Sequence, residues 1–165
     1  MKTLVLGLGN PILTDDAVGM IVAEEVGRRL DRDDVVVSQA SVGGLGLLEL
    51  VVGYDKVILV DAIRTESGVP GRVHRLSPDQ FHGNLRAAST HDVTFATALE
   101  LGRRLSKEIP KEIVILAVEA ADTETFGEEL TPAVAAAVPE VVDLVLQELE
   151  SRGTRQRRPR CPAAG

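Results

Sequence analysis

Cysteine and aromatic residues are nearly missing from this 165-residue chain, which has one Cys, no Trp, one Tyr and three Phe. A single thiol, Cys161, excludes an internal disulfide framework, a zinc ribbon and a CxxC redox pair, and suits a reducing compartment such as the cytoplasm. So few rings argue against single-strand nucleic-acid binding, which relies on aromatic stacking platforms. No apolar run approaches the length of a membrane span, so no transmembrane helix is expected. The first residues, Met1-Lys2-Thr3-Leu4-Val5-Leu6-Gly7, form too short an apolar run for a signal peptide and read as a buried strand. What is abundant is Val, Leu, Ile and Ala: 44% of the chain is hydrophobic and 26% charged, the balance of a globular protein with an aliphatic core.

Charge is unevenly spread. The formal net charge is −7, but residues 151–165 carry five Arg and no acid, so residues 1–150 hold −12. An acidic body disfavours a nucleic-acid groove. The Arg- and Pro-containing end has little to bury and reads as a basic, disordered tail, leaving 1–150 as a single domain.

Short β-branched runs alternate with longer stretches of helical period. Strands are expected at 3–8, 35–38, 56–60, 72–76 and 112–118. Helices are expected at 16–30, at 43–52, from Ser89 or Thr90 to about 105, and from Thr131-Pro132 onward, with Pro139 kinking or dividing the last one. The segment 77–88 reads as a polar loop. Strands separated by helices imply βαβ units. The predicted class is α/β, a three-layer sandwich whose twisted, mostly parallel sheet of about five strands carries helices on both faces. The 72–76 strand is its expected antiparallel or edge member.

Ligands of such sheets bind beyond the carboxyl ends of the strands. After the first strand come Asp15 and Asp16, after the third Asp61, at the start of the third helix His91, and after the last strand Glu119. Asp15 suits a helix cap. Asp16, one residue further in, is better placed to face a ligand. Asp61 follows four consecutive apolar residues, where a carboxylate is costly without a partner or a metal. Ser89 and Asp92 resemble a capping box that puts His91 in a first helical turn, where the helix dipole keeps the ring neutral and fit for metal ligation. His74 and His82 read as surface residues, and Glu119 as either a supporting or an incidental acid. Two carboxylates and an imidazole are a plausible three-ligand set for a divalent metal. Other chemistries lack their motifs: there is no Gly-x-Ser-x-Gly, no His-Glu-x-x-His and no Walker A sequence. Gly7-Leu8-Gly9 opens like a dinucleotide fingerprint, but Ile12 stands where the third Gly belongs.

Taken in order, Gly7-Leu8-Gly9-Asn10-Pro11, Asp15-Asp16, Gly19, Gly43-Gly44, Ile58-Leu59-Val60-Asp61-Ala62, Gly68-x-Pro70-Gly71 and Ser89-Thr90-His91 resemble the hydrogenase maturation proteases, over about residues 2–150. The resemblance implies an endopeptidase that removes the C-terminal extension of a [NiFe] hydrogenase large-subunit precursor after nickel insertion. It implies a metal-contacting triad on Asp16, Asp61 and His91, with Asp16 or Asp61 also a candidate general base. Nickel would be brought by the substrate rather than held permanently, and a cytoplasmic monomer is expected. Two departures stand out: Asp16 occupies a position often held by Glu in the family, and Ala120 follows Glu119 where Pro is usual. A non-cleaving nickel-binding chaperone would use the same triad. Peptidyl-tRNA hydrolases also open with Gly-Leu-Gly-Asn-Pro, but need a nearby His, absent from 12–30, and a basic surface.

Overall fold

A computed structural model describes residues 1–81 and 93–151. Five strands form one sheet: β1 (Thr3–Leu8), β2 (Val35–Ala40), β3 (Lys56–Ile63), β4 (Val73–Leu76) and β5 (Glu112–Glu119), in the order β2-β1-β3-β5-β4. All neighbours run parallel except β4, which lies antiparallel on β5 at the edge, as its alternating sequence predicts. The helices are α1 (Val18–Arg29), α2 (Leu45–Val51), α3 (Phe95–Arg104) and α4 (Pro132–Glu150).

Side chains alternate across each strand, so the sheet has two apolar faces. Val5, Ile58, Val60, Leu116 and Val118 face α1 and α4, which contribute Val18, Val22, Val26, Val134, Val141, Val142 and Val145. Leu4, Leu6, Leu8, Val57, Leu59 and Ile115 face α2 and α3, meeting Leu47, Leu48, Val51, Phe95, Ala98 and Leu99. Two of the three Phe, Phe81 and Phe95, are buried on this second side. No helix among the described residues is long and apolar enough to cross a membrane.

The structure changes several expected boundaries. Asp16 does not open α1; it lies in a preceding turn of 3-10 helix, Thr14–Ala17. Helix α3 begins at Phe95, where Thr94 Oγ1 accepts the Thr97 N–H at 3.2 Å as a side-chain cap. The start expected at Ser89 or Thr90 lies outside the described residues, and so does the basic tail beyond 151. Pro139 does not divide α4, which runs unbroken from Pro132 to Glu150. Burial of Val134 and Ala137 before the proline and of Val141, Val142 and Val145 after it holds both halves to one surface, offsetting the lost hydrogen bond.

The amino edge of the sheet has its own fastening. Lys56, 1% exposed, sends Nζ to the carbonyl oxygens of Glu148 (2.6 Å) and Ser151 (3.3 Å) and pairs with Glu112 at 3.2 Å. An ammonium at the negative end of α4 satisfies terminal carbonyls and complements the helix dipole.

Candidate active site at the carboxyl edge

Strand order reverses between β1 and β3: the chain passes from β1 outward to β2 and returns to β3 on the other side of β1. The cleft at such a reversal is where open α/β sheets bind ligands. Glycines bring the first turn of α1 down onto it. A Cβ at Gly19 would lie 2.2 Å from the Val60 carbonyl oxygen and 2.4 Å from that of Leu8, so only a glycine allows this contact with both strand ends. Asp16, three residues earlier, is thereby held at the end of β1 beside β3.

Both predicted acids are buried here, Asp16 at 2% and Asp61 at 5% exposure. Asp16 Oδ2 accepts the Asn10 N–H at 3.1 Å, and the Asp16 N–H donates to the Leu13 carbonyl at 3.0 Å. Asp61 lies inside β3 rather than after it, two residues before its end and in register with Ala117 of β5. Its place in the alternation, after Val57 and Leu59, puts it on the α2–α3 face. Asp61 Oδ1 accepts the Ala62 N–H at 2.8 Å.

His91 lies outside the described residues. Two positions on, the carbonyl oxygen of Val93 approaches Gly44, where a Cβ would stand 2.4 Å from it. Gly44 precedes α2 at the carboxyl side of β2, so the chain following His91 passes along the same edge as Asp16 and Asp61. Among the described residues, no group of three His, Cys, Asp or Glu side chains is close enough to hold a metal ion.

The loop between β5 and α4 is locked to this edge by Asp15. Its carboxylate accepts the N–H groups of Ala121 (2.9 Å), Asp122 (3.0 Å) and Thr131 (2.8 Å) and the Thr131 hydroxyl (2.8 Å). Asp15 therefore does not cap its own helix, as its sequence position suggests; it ties down the entry to α4. Thr14 supports the joint from a left-handed backbone (φ 49°), donating N–H to Gly127 O (3.0 Å) and Oγ1–H to Thr125 O (2.6 Å). A β-branched residue in that region is strained, and these bonds compensate. Within the loop, Asp122 Oδ1 accepts the N–H groups of Glu124 and Thr125, both at 2.9 Å. Hydrogen bonding by the Thr125 side chain, then by these N–H groups, holds the Asp122 carboxyl down at about 2.

Known proteins are similar to this chain in sequence and fold. The family model for hydrogenase maturation proteases matches residues 20–148. The chain belongs to the hydrogenase maturation protease family. It is similar to the hydrogenase 2 maturation protease of Escherichia coli K12, 30% identical over 93% of both chains. The hydrogenase expression/formation protein HupD of Bradyrhizobium diazoefficiens is also 30% identical, over 99% of this chain and 85% of the relative. The solved hydrogenase maturating endopeptidase HybD of E. coli superposes with a TM-score of 0.77 at 30% identity, covering 91% of this chain and 93% of that one. The chain is thus a maturation endopeptidase, and its five-stranded α/β sheet is the family's fold.

Within this protease the structure decides the role of Glu119, which the sequence leaves as either a supporting or an incidental acid: it anchors a second buried carboxylate system. Glu119, 1% exposed at the end of β5, accepts the Thr65 N–H at 3.2 Å, the Thr65 hydroxyl and a contact from His74 Nε2 at 3.2 Å. It fastens the loop that leaves β3 after Asp61. His74, read from sequence as a surface residue, is half-buried because it serves Glu119. Gly68 of the Gly68-x-Pro70-Gly71 turn belongs here: a Cβ on it would fall 2.1 Å from the Glu119 carboxylate. His74 shares a strand face with the apolar Leu76, opposite to Val73, which is the signal against a surface position; the register of β4 on β5 then puts its ring on the same sheet face as Glu119.

Proposed function

We propose that this endopeptidase removes the C-terminal extension of a [NiFe] hydrogenase large-subunit precursor once nickel has been inserted, and that Asp16, Asp61 and His91 recognise the nickel the precursor carries. The observation that carries the reading is the burial of Asp16 and Asp61 at the reversal point of the sheet. Two carboxylates with an imidazole make a set of oxygen and nitrogen donors that suits a divalent ion and leaves coordination positions for ligands arriving with it. The set has no thiolate to tighten it, so its affinity for the ion alone is low and substrate thiolates complete the sphere.

The peptide bond to be cut is then held next to a buried carboxylate. The Asp16–Asp61 pair supplies the general base that takes a proton from the attacking water. The N–H of Asn10 orients one carboxylate and that of Ala62 the other. The same reading has the protein acting as a monomer in the cytoplasm, a reducing compartment that its single cysteine suits.

Mixing the purified protein with nickel-loaded and nickel-free precursor tests this. Cleavage of the loaded form alone is expected. Equal rates on both forms would falsify nickel recognition, and stoichiometric binding of loaded precursor without any cut would identify a chaperone instead.

A further inference from the structure

Resting on that reading of the cleaved substrate, we infer that Ile12 and Phe126 form an apolar grip for the precursor segment next to the scissile bond. Phe126 is 79% exposed, although the other two Phe are buried and the chain has only four aromatic residues. Ile12 is 47% exposed. The two residues are neighbours along the backbone bonds that join their segments. Leu13 forms an isolated parallel bridge with Gly127, and the Gly127 N–H donates to the Ile12 carbonyl at 2.9 Å, so the backbone of Ile12 lies beside the Phe126–Gly127 peptide.

This pair is held, not loose. The bridge, the two Thr14 bonds, the four donors on Asp15 and the Asp122 turn all fix the segments that carry it. A ring kept in water by so many bonds forgoes burial that a partner can supply. Its location points to the partner. Ile12 lies between Asn10, whose N–H holds the Asp16 carboxylate, and Asp16 itself. Other exposed aliphatic side chains, Val42 and Leu45 before and in α2 and Val69 after β3, belong to segments that leave the same carboxyl edge. Glu124, Glu128 and Glu129 flank Phe126, so the segment that fits carries apolar side chains and no acid.

The test uses the full chain and a large-subunit precursor with its C-terminal extension. For Phe126→Ser and Ile12→Ser, KM should rise on the order of tenfold to a hundredfold with kcat and melting temperature unchanged. Phe126→Leu should restore most of the loss. Replacing the apolar residues beside the cut in the precursor by Ser should raise KM for the wild type but add little to Phe126→Ser. An unchanged KM in Phe126→Ser, or a fall in kcat alone, overturns the grip. If wild-type protein does not cut, the endopeptidase reading fails separately, and precursor binding decides the grip: weaker binding by Phe126→Ser supports it, while equal or absent binding by both proteins overturns it.

Discussion

Asp15 and Asp16 share one turn of 3-10 helix and are both buried, yet the backbone groups on their carboxylates come from different distances. Those on Asp15 belong to residues 121, 122 and 131, more than a hundred positions away. The backbone N–H on Asp16 belongs to Asn10, six positions away, and that on Asp61 to the next residue. Glu119 resembles Asp15, reaching Thr65 and His74 across 54 and 45 positions. The carboxyl edge thus contains two sorts of buried acid. Asp15 and Glu119 tie remote loops together, whereas the backbone bonds on Asp16 and Asp61 orient each carboxylate within its own segment. Burial alone does not separate these two sorts; the span of the backbone bonds among the described residues does.

The contrast breaks most sharply at Asp61. Asp61→Asn keeps an oxygen to accept the Ala62 N–H but removes the charge, so precursor cleavage should fall by about a thousandfold or more while the melting curve stays in place. A folded variant that cuts normally would remove Asp61 from the proposed cleavage site. Asp15→Ala should do the reverse. It strands buried donors from three residues, costing about 3 kcal/mol in urea denaturation. Its cleavage at low temperature should persist wherever the protein is folded. Glu119→Gln should cost about 1–2 kcal/mol, since an amide still accepts from Thr65 but no longer with a charge. Gly68→Ala should weaken the same region by driving a methyl into the Glu119 carboxylate, and combining the two substitutions should cost less than their sum.

The smallest effect concerns pH. The folded Asp122 carboxyl, at about 2, lies below its ordinary value of 3.8. Its contribution is therefore complete above pH 3.8 and is lost as pH falls through about 2. Amide exchange at Glu124 and Thr125 should quicken selectively over that window, and Asp122→Ala should remove the pH dependence. Constant protection down to pH 2 would show that the turn does not rely on this carboxylate.

Much of the fold is legible in the sequence. The alternation of aliphatic runs with helical stretches predicts a mostly parallel sheet, and the rule that ligands sit beyond strand ends selects Asp16 and Asp61. Other features depend on partners that no local pattern reveals. Asp15 at a helix start is indistinguishable from a cap until Thr131 is seen beside it. Lys56 looks like a solvated strand start until α4 ends over it. The Ser89–Asp92 spacing draws the expected helix start to Ser89 or Thr90, whereas α3 is capped by Thr94, with Phe95 immediately buried.

The Lys56 fastening has a consequence for how the chain could be rewired. Its ammonium holds Ser151 beside the first residue of β3, and that residue pairs in register with Thr3 of β1. The two ends of the folded domain therefore emerge at one pole. Asp61 lies five residues further along β3, about 17 Å of strand away. A short linker from 151 back to Met1 would close the polypeptide into a ring without crossing the cleft. New ends could then be opened in the 105–111 connection between α3 and β5, at the amino edge, giving a circular permutant with an undisturbed carboxyl edge.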